Sequence, residues 1–301
     1  MTNIVHIQSI SQLHKFMGHS KPMHPAVSFV RFSEMNVPKD LTFEKASAEF
    51  YIISLKTMPG QLKYGRNYYD FEEGTLTFSA PNQVMYPSHL MADIEDVEGW
   101  SLFFHPDILF GTQLGKTIHD YSFFSYDVNE ALHLSDAERQ KIEDCIQNIV
   151  DEYNQNLDRH SQELIVSNLE LLLNYCHRFY DRQFFTRKKQ NHGVVSEIES
   201  LLSSYFNSEA PLSKGLPSVK YCADHVNLSP NYLSDLLKKE TGKSTKEHID
   251  YFLIDKAKNL LLNSELNISE IAYELGFEQP KSFSNLFKKK TGVSPKEFRL
   301  N

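Results

Sequence analysis

The first 130 residues alternate short apolar runs with residues that form turns. The segments AEFYIISLKT, QLKYGRNYYDF, GTLTFSA and WSLFFH are rich in the aromatic and β-branched residues typical of strands. Gly and Pro separate them, as at Pro59-Gly60 and Pro81-Asn82. Several short strands at this spacing are typical of a small antiparallel barrel or jelly roll. We therefore predict an all-β domain over residues 1–130.

After residue 130 the apolar positions take up the spacing of helices. Ser135, with Glu138 three residues later, predicts a capping box that opens a helix. Apolar side chains then recur every three or four residues in two runs separated by a polar break. Two helices with a short connection form an antiparallel hairpin, which we place at residues 131–185. Its apolar stripes are buried either within one chain or across a two-fold axis, in which case the protein is a homodimer.

A polar and basic stretch, TRKKQNHG at residues 186–193, follows the hairpin and is the predicted linker. Beyond it, VVSEIESLLSSYF has the spacing of an amphipathic helix, and PLSKGLP is predicted to be a loop. The last predicted domain therefore covers residues 194–301. The expected fold is multi-domain α+β: an antiparallel β-barrel, a helical hairpin and an all-α C-terminal domain.

The C-terminal domain contains one sequence written twice. LSPNYLSDLLKKETGKSTKEH, residues 228–248, returns fifty residues later as EQPKSFSNLFKKKTGVSPKEF, residues 278–298. Upstream of these segments the offset is forty-nine, so one residue has been inserted near Glu278. A turn is expected there because loops accept length changes and helix interiors do not. Each copy is thus predicted to be a helix, a turn and a second helix, with one long helix at residues 244–264 between the copies.

Residues with strong preferences for helix ends support these boundaries. Ser followed by Pro predicts an N-cap and the first helical position, and Gly after a helix predicts a C-cap in the left-handed conformation. The residues expected to open helices, close them or make turns are Ser218, Ser229, Pro230, Gly242, Ser269, Gly276, Pro280 and Gly292.

Composition indicates a globular protein. Hydrophobic residues make up 41% of the 301 residues, and no apolar run approaches the length of a membrane span. The N-terminus has no signal-peptide pattern. The three cysteines, Cys145, Cys176 and Cys222, form neither a CxxC pair nor a disulfide framework. We expect a cytoplasmic protein with reduced thiols and no membrane partner.

The net charge of −8 at pH 7 is unevenly distributed. Residues 1–193 carry 17 Lys+Arg and 25 Asp+Glu, whereas residues 194–301 carry 14 of each. The repeat is therefore neutral overall, with local lysine runs at Lys238-Lys239 and Lys288–Lys290. Attraction to phosphate groups must come from the placement of these lysines, because bulk charge does not supply it.

One segment of the first domain, EEGTLTFSAPNQVMYP at residues 72–87, resembles the glycine-to-proline strand pair of cupin-like barrels found in front of many bacterial regulators. A metal-binding cupin also carries His-x-His and a following Glu on the preceding strand, where this chain has QLKYGRNYYDFEE. His89 and His105 are isolated. The chain also lacks a nucleophile motif, a P-loop, a dinucleotide fingerprint and zinc-site spacing. We therefore predict no metal, no cofactor and no enzymatic activity.

The mouth of a barrel can still hold a small-molecule effector. The aromatic residues that are candidates to line such a pocket are Tyr51, Tyr64, Tyr69, Phe78, Tyr86 and Trp100. The alternative, which we favour for most of them, is that they fill the barrel interior.

The second helix of each copy has one apolar face and one short polar face at 100° per residue. The apolar faces carry Leu233, Leu236 and Leu237 in the first copy and Phe283, Leu286 and Phe287 in the second. An apolar face fixes the helix to its partner, and a short polar face can enter the major groove of DNA. Lys238 and Lys288, one turn onward, are placed to meet backbone phosphates. One copy alone would equally fit an ordinary amphipathic helix, but two copies with matching caps, faces and lysines favour DNA binding.

Residues 194–301 resemble the DNA-binding domain of the AraC/XylS family of bacterial transcription regulators. The resemblance rests on LSPNYLSDLLKKETGKS, IDKAKNLLLNS and ISEIAYELGFEQPKSFSNLFKKKTGVSPKEFR and on their spacing. It implies two helix-turn-helix units that place two recognition helices in successive major-groove segments of double-stranded DNA. The implied base-reading candidates are Asn231, Ser234, Asp235, Gln279, Lys281, Ser284 and Asn285, and the phosphate candidates are Ser229, Lys238, Ser282 and Lys288.

By the same resemblance, the protein is expected to be a transcription activator that has RNA polymerase as a partner, with an N-terminal domain that senses a signal or dimerises. Three departures from the family pattern stand at Leu253, Thr245 and His248, and Asp235 puts an acidic group on the face that approaches DNA. The second copy is therefore expected to bind more strongly. The alternative is a small-molecule-binding barrel protein whose C-terminal helical repeat is a protein-interaction module.

Overall fold

The structure, a computed structural model, describes residues 4–35, 45–57, 63–64, 67–68, 74–84, 98–127, 130–155 and 158–300. The chain divides into two compact units, Met1–Gln183 and Phe184–Asn301. The strands lie in the first unit and the helical repeat lies in the second. The mixed architecture expected from the sequence, with an antiparallel sheet followed by a helical C-terminal region, is confirmed.

The strands of the first unit form one five-stranded sheet and two short pairs. They are β1 (Ile4–Ile7), β2 (Val27–Arg31), β3 (Lys45–Ala48), β4 (Tyr51–Thr57), β5 (Lys63–Tyr64), β6 (Asn67–Tyr68), β7 (Thr75–Ser79), β8 (Glu98–Phe104) and β9 (Leu132–His133). The five-stranded sheet is antiparallel in the order β2-β8-β4-β7-β9. β1 pairs with β3 in parallel, and β5 pairs with β6 in antiparallel fashion.

This sheet is open rather than closed. β2 and β9 stand at its two edges, and the described strands do not join them into a barrel. The prediction of a barrel therefore goes further than the described strands do, whereas the antiparallel pairing holds. The sequence pattern could not settle closure, because alternation along a strand shows which face is buried and says nothing about strand partners.

The register gives the sheet one largely apolar face and one face of mixed chemistry. Leu55 lies opposite Leu76 on β7 and opposite Trp100 on β8, and all three side chains are buried. On the other face, Ser54 lies opposite Ser101, and their hydroxyl oxygens are 2.7 Å apart in a buried hydrogen bond. Because successive side chains of a strand point to opposite faces, Val30, Ile52 and Phe103 share this second face, where they are buried in an apolar cluster.

The helical hairpin follows the strands, as predicted. α1 (Ile10–Phe16) and α2 (Gln113–Thr117) are short, while α3 (Asp136–Tyr153) and α4 (Ser161–Thr186) are long. The capping box of Ser135 and Glu138 is present at the start of α3. Arg182 on α4 also binds Glu138, with its Nη2 2.6 Å from Oε2 of the carboxylate. That pair joins the end of α4 to the start of α3 and so fixes the antiparallel pairing.

The second unit is helical throughout. Its helices are α5 (Lys188–Phe206), α6 (Ala210–Lys214), α7 (Val219–His225), α8 (Pro230–Thr241), α9 (Thr245–Asn263), α10 (Ile268–Glu274), α11 (Pro280–Thr291) and α12 (Pro295–Leu300). Two predictions fail here. The stretch expected as a linker, 186–193, is helical from Lys188 onward, and the expected loop PLSKGLP contains α6. No helix in the described part of the chain has the length and apolarity needed to cross a membrane.

Candidate nucleic-acid interface

Each copy of the repeat places its second helix on a buried apolar face. In α8, Leu233, Leu236 and Leu237 are no more than 1% exposed. In α11, Phe283 and Phe287 are fully buried at the equivalent positions. Burial of this kind stabilises each helix by about 1.5–3 kcal/mol per large apolar side chain. The same side of both helices is therefore turned inward as predicted, although Leu286 in α11 is only half-buried.

The turn before each of these helices needs a residue in the left-handed conformation. Asn227 takes φ 55° in the first copy and Gly276 takes φ 89° in the second. Asparagine and glycine are the residues that adopt this conformation at least cost. The sequence predicted the turn at Gly276 but not the equivalent role of Asn227.

Capping residues begin or end several helices at equivalent positions of the two copies. Ser229 caps α8, and its hydroxyl accepts a hydrogen bond from the Tyr232 amide at 3.3 Å. At the start of α10 the cap is Asn267, which forms a capping box with Glu270, so the expectation that Ser269 opens this helix is wrong. Gly242 and Gly292 end α8 and α11 in the left-handed conformation, as predicted.

Among the base-reading candidates, four side chains are exposed and three are half-buried. The exposed ones are Asn231, Gln279, Lys281 and Asn285, and the half-buried ones are Ser234, Asp235 and Ser284. The two serines are engaged within the protein: Ser234 donates to the Thr245 hydroxyl and Ser284 donates to the Pro280 carbonyl, each at 3.1 Å. The geometry therefore favours the exposed amide and lysine side chains as the groups that reach bases.

The phosphate candidates divide in the same way. Lys238, Lys288 and Ser282 are exposed, whereas Ser229 is 3% exposed and holds the α8 amide. Ser229 is thus placed as a cap, with its side chain buried. A lysine near the C-terminal end of a helix also interacts favourably with the helix dipole.

Lys290, the last of the predicted lysine run, forms an ion pair with α9 while 33% of its side chain stays exposed. Its ammonium lies 2.8 Å from Oδ2 of Asp250, whose side chain is 7% exposed. Lys246 lies 3.1 Å from the other carboxylate oxygen, off the direction of a hydrogen bond, and so completes the neutralisation as an ion pair only. All three lysines of the run are therefore exposed, and Lys290 is also tied to Asp250.

The family model described as a helix-turn-helix domain matches residues 222–301. The chain is 40% identical to an uncharacterized transcriptional regulatory protein, YesN of Bacillus subtilis, over 85 residues, which are 27% of this chain and 23% of that protein. It is 35% identical to the HTH-type transcriptional activator RhaS of Escherichia coli over 77 residues, which are 26% of this chain and 28% of that protein. The C-terminal part of this chain is an AraC-type helix-turn-helix domain.

A solved structure is also similar to this AraC-type domain. It is a transcriptional regulator of Chromobacterium violaceum described as having an AraC-type DNA-binding domain, with 23% identity, a TM-score of 0.32, and 37% of this chain covering 94% of that one. The chain spans only about a quarter of the length of the two curated relatives. Both relatives are regulators of transcription and not enzymes.

Within the AraC-type domain, a cleft of about 310 Å³ lies beside the Asp250–Lys290 pair. Its lining comes from the segment after α8, from α9 and from the end of α11: Lys243, Glu247, Asp250, Tyr251, Ile254, Asp255, Lys258 and Lys290. The Lys243 ammonium lies 4.7 Å from the centre of the Tyr251 ring, within cation–π range. Three lysines and three carboxylates share the lining, so the cleft has no dominant charge.

His248 on α9 marks a real difference between the two copies of the AraC-type domain. It is 5% exposed, and its Nε2 lies 2.8 Å from the Thr241 hydroxyl. Phe298, at the equivalent place, packs its ring 5.4 Å from that of Phe287. Burial lowers the pKa of His248, because the charged imidazolium loses its hydration there.

The aromatic candidates for an effector pocket in the first unit are core residues where the structure describes them. Phe78 and Trp100 are 7% and 4% exposed, and Tyr51 is half-buried with its ring stacked 4.9 Å from that of Phe104. They lie on the apolar face of the sheet, which supports the alternative that they fill the interior. The side chain of Tyr64 and all of Tyr69 and Tyr86 lie outside the described residues. In the ranges that the structure describes, no three His, Cys, Asp or Glu side chains are grouped to hold a metal ion.

Sequence reasoning missed the polar side chains that join α8 and α11 to other helices. Asn191 on α5, 3% exposed, donates to Glu240 near the end of α8. Asp250 on α9 binds Lys290 near the end of α11. The sequence carried one clue to both contacts. The two copies share the sequence KK-x-TG but differ at its middle position, which is Glu240 in the first copy and Lys290 in the second.

Proposed function

We propose that this protein is a sequence-specific DNA-binding transcription regulator of the AraC type. α8 and α11 enter successive major-groove segments of double-stranded DNA and read bases there. The observation that carries the proposal is the pair of helices with buried apolar faces, exposed amide or lysine side chains opposite and exposed lysines at their C-terminal ends. A protein-interaction module would not need this chemistry twice at the same helical positions.

Each exposed side chain has a role that its chemistry suits. Lys281 is placed to bind guanine at O6 and N7, and Asn231 and Asn285 are suited to adenine at N6 and N7, with Gln279 beside them. Each such contact contributes about 1–3 kcal/mol of discrimination between bases. Lys238, Lys288 and Ser282 bind the phosphate backbone and set the position of the helices. Asp235 is suited to accept from the amino group of cytosine, and the second copy, with Lys281, binds more strongly.

The first unit senses an effector or dimerises in this proposal. Leu164 and Leu171 on α4 are 47% and 44% exposed and lie seven residues apart, on one side of the helix. Beside them Asn148 of α3 donates to Asn168 of α4 at 3.3 Å, so both helices contribute to the surface. An exposed apolar stripe on a rigid hairpin supports a homodimer with this surface at its two-fold axis. Leu171→Glu is then expected to give a monomer in sedimentation experiments.

The protein is further proposed to act in the cytoplasm as an activator with RNA polymerase as its partner. The support for activation is similarity, over the C-terminal domain, to RhaS, which is described as an HTH-type transcriptional activator. No effector is proposed by name, since the described residues of the first unit show a filled apolar face.

Selection of bound duplexes from a random pool, with the full-length chain, tests the proposal. The expected result is two enriched motifs about ten base pairs apart, centre to centre, because both recognition helices bind one side of the duplex. Lys281→Ala with Asn285→Ala should relax selection in one motif only. Lys296→Ala is the matched control, since it removes one exposed lysine from α12. A chain that is folded and enriches no sequence would refute the regulator and favour the protein-interaction module.

A further inference from the structure

The helix that precedes each helix-turn-helix unit occupies an equivalent place in the two copies. α5 precedes the first unit and α9 precedes the second. Three buried positions of α5 have counterparts 59 residues later in α9: Asn191 with Asp250, Ile198 with Ala257, and Leu202 with Leu261. The duplicated structure is therefore a three-helix unit, although the sequence repeat is obvious only in its last two helices. The offset is larger here than the forty-nine residues of the next helices because α6 and its flanking residues lie between α5 and α7.

Each of these preceding helices uses a buried polar side chain, Asn191 or Asp250, to contact the end of its recognition helix at the same position of the repeat. In the first copy, Asn191 Nδ2 lies 2.9 Å from Oε1 of Glu240 and 2.8 Å from the Phe184 carbonyl oxygen. Glu240 is 10% exposed on its side chain, and His192 lies 3.6 Å from its second oxygen. In the second copy, the contact is the ion pair of Asp250 with Lys290.

The two contacts have opposite polarity. The recognition helix supplies the carboxylate in the first copy, through Glu240, and the cation in the second, through Lys290. α9 packs on α8 as well as carrying the partner of α11. An acidic residue at position 290 would put two carboxylates together in the second copy, which is unfavourable because the Asp250 side chain is only 7% exposed. The charge at this position therefore suits the side chain that the preceding helix presents to it, Asn191 for Glu240 and Asp250 for Lys290.

We infer that Glu240 and Lys290 are positioning residues, one in each recognition helix, which fix the rotation of that helix on the helix preceding its unit. Apolar burial alone does not fix rotation sharply, because it depends on area and has no direction. A buried hydrogen bond or ion pair is directional, and it is lost when the helix turns or slides. Both residues lie two positions before the closing glycine, at the end remote from the cap. In α8 the Ser229 cap and the Glu240 contact hold the two ends of the helix, whereas α11 has the Lys290 contact without a side-chain cap at its start. This inference rests on the proposed function, since rotation determines which bases the exposed side chains meet.

The test compares Lys290→Met with Lys289→Met in the full-length protein, using the duplex enriched by wild type and an unrelated duplex of equal length. Both substitutions remove one positive charge from the end of α11. A phosphate contact contributes about 0.9 to the slope of log affinity against log salt concentration. If Lys290 positions the helix, Lys290→Met should leave that slope unchanged. It should weaken binding to the enriched duplex about tenfold and change the affinity for the unrelated duplex by no more than about twofold. Lys289→Met should lower the slope and weaken binding to both duplexes alike if it meets phosphate.

Two further variants separate positioning from loss of fold. Asp250→Asn breaks the same ion pair from α9, so it should relax base preference in the α11 motif only, and adding Lys290→Met should cause little further loss. In the first unit, Glu240→Ala should relax the α8 motif, while Glu240→Gln retains an oxygen for Asn191 and should preserve it. All variants are compared under conditions where circular dichroism shows the wild-type helix content.

The outcomes distinguish this inference from the proposed function. If wild type enriches no duplex, the proposed function fails first. If wild type enriches two motifs and folded Lys290→Met keeps the wild-type base preference, or lowers the salt slope as Lys289→Met does, the positioning role is refuted and the regulator stands.

Discussion

Substitution of Gly276 by alanine should destabilise the second unit more than the same substitution at the other closing glycines. Gly276 takes φ 89°, where an alanine costs about 1–2 kcal/mol relative to its preferred conformations. A Cβ built on it would lie 2.8 Å from the Gly215 carbonyl carbon and 2.8 Å from the Pro211 carbonyl oxygen. Both are backbone atoms, one near the start of α6 and one at the glycine that closes it, so relief requires a shift of the chain. Overpacking of this kind costs about 1–3 kcal/mol.

Gly292 supplies the matched control for this prediction. Its φ is 85°, nearly the same as that of Gly276, but a Cβ there would meet no atom within 4 Å. Gly292→Ala should therefore cost only the conformational part, about 1–2 kcal/mol, and the difference between the two variants isolates the steric part. Chemical denaturation of full-length proteins, followed by far-ultraviolet circular dichroism, measures both. Equal midpoints for the two variants would refute the argument that α6 packs against this turn.

Further predictions concern protonation, capping and thiol chemistry. The folded state lowers the pKa of His248, so the stability that depends on the neutral imidazole is lost as the pH falls below the unfolded pKa of 6.5. His248→Phe should therefore reduce the fall in unfolding midpoint between about pH 7.5 and pH 5.5. A fall as large as that of wild type would contradict this prediction. Ser229→Ala should cost about 1 kcal/mol of stability without changing the salt slope of DNA binding, whereas Gln279→Ala, at a position without a side-chain cap, should cost little. All three cysteines are buried, and burial raises the pKa of Cys222 to about 11. A thiol reagent at pH 8 should therefore label the native protein slowly and the unfolded protein at once; rapid native labelling would show that a cysteine is accessible.

The parts of the structure that the sequence predicted are those set by local preferences. Ser135 and Glu138 formed the expected capping box, and Gly242 and Gly292 closed their helices, because each effect depends on residues within one turn. Because the pattern occurs twice in the sequence, each copy serves as a check on the interpretation of the other. Agreement between the copies made the buried faces of α8 and α11 predictable.

The parts that failed depend on partners distant in sequence. The basic stretch at 186–193 has the composition of a linker, yet Asn191 within it is buried against Phe184 and Glu240. Nothing local marks that burial. The prediction of a closed barrel went beyond the described strands for the same reason, since strand pairing is a long-range property. In the candidate interface, the residue type of Ser229 fits both a helix cap and a phosphate contact, so the sequence could not choose between them. The structure shows that Ser229 is buried and that Lys281 and Asn285 are exposed.

Trp100 gives the protein a built-in optical probe of its first unit. It is the only tryptophan in the chain, it is 4% exposed on the apolar face of the sheet, and its ring centre lies 5.8 Å from that of Phe29. Its fluorescence should be that of a buried indole, and all tryptophan emission of the protein should come from the first unit. Candidate effectors can thus be screened by tryptophan fluorescence in the presence of bound DNA, because the second unit contains no tryptophan.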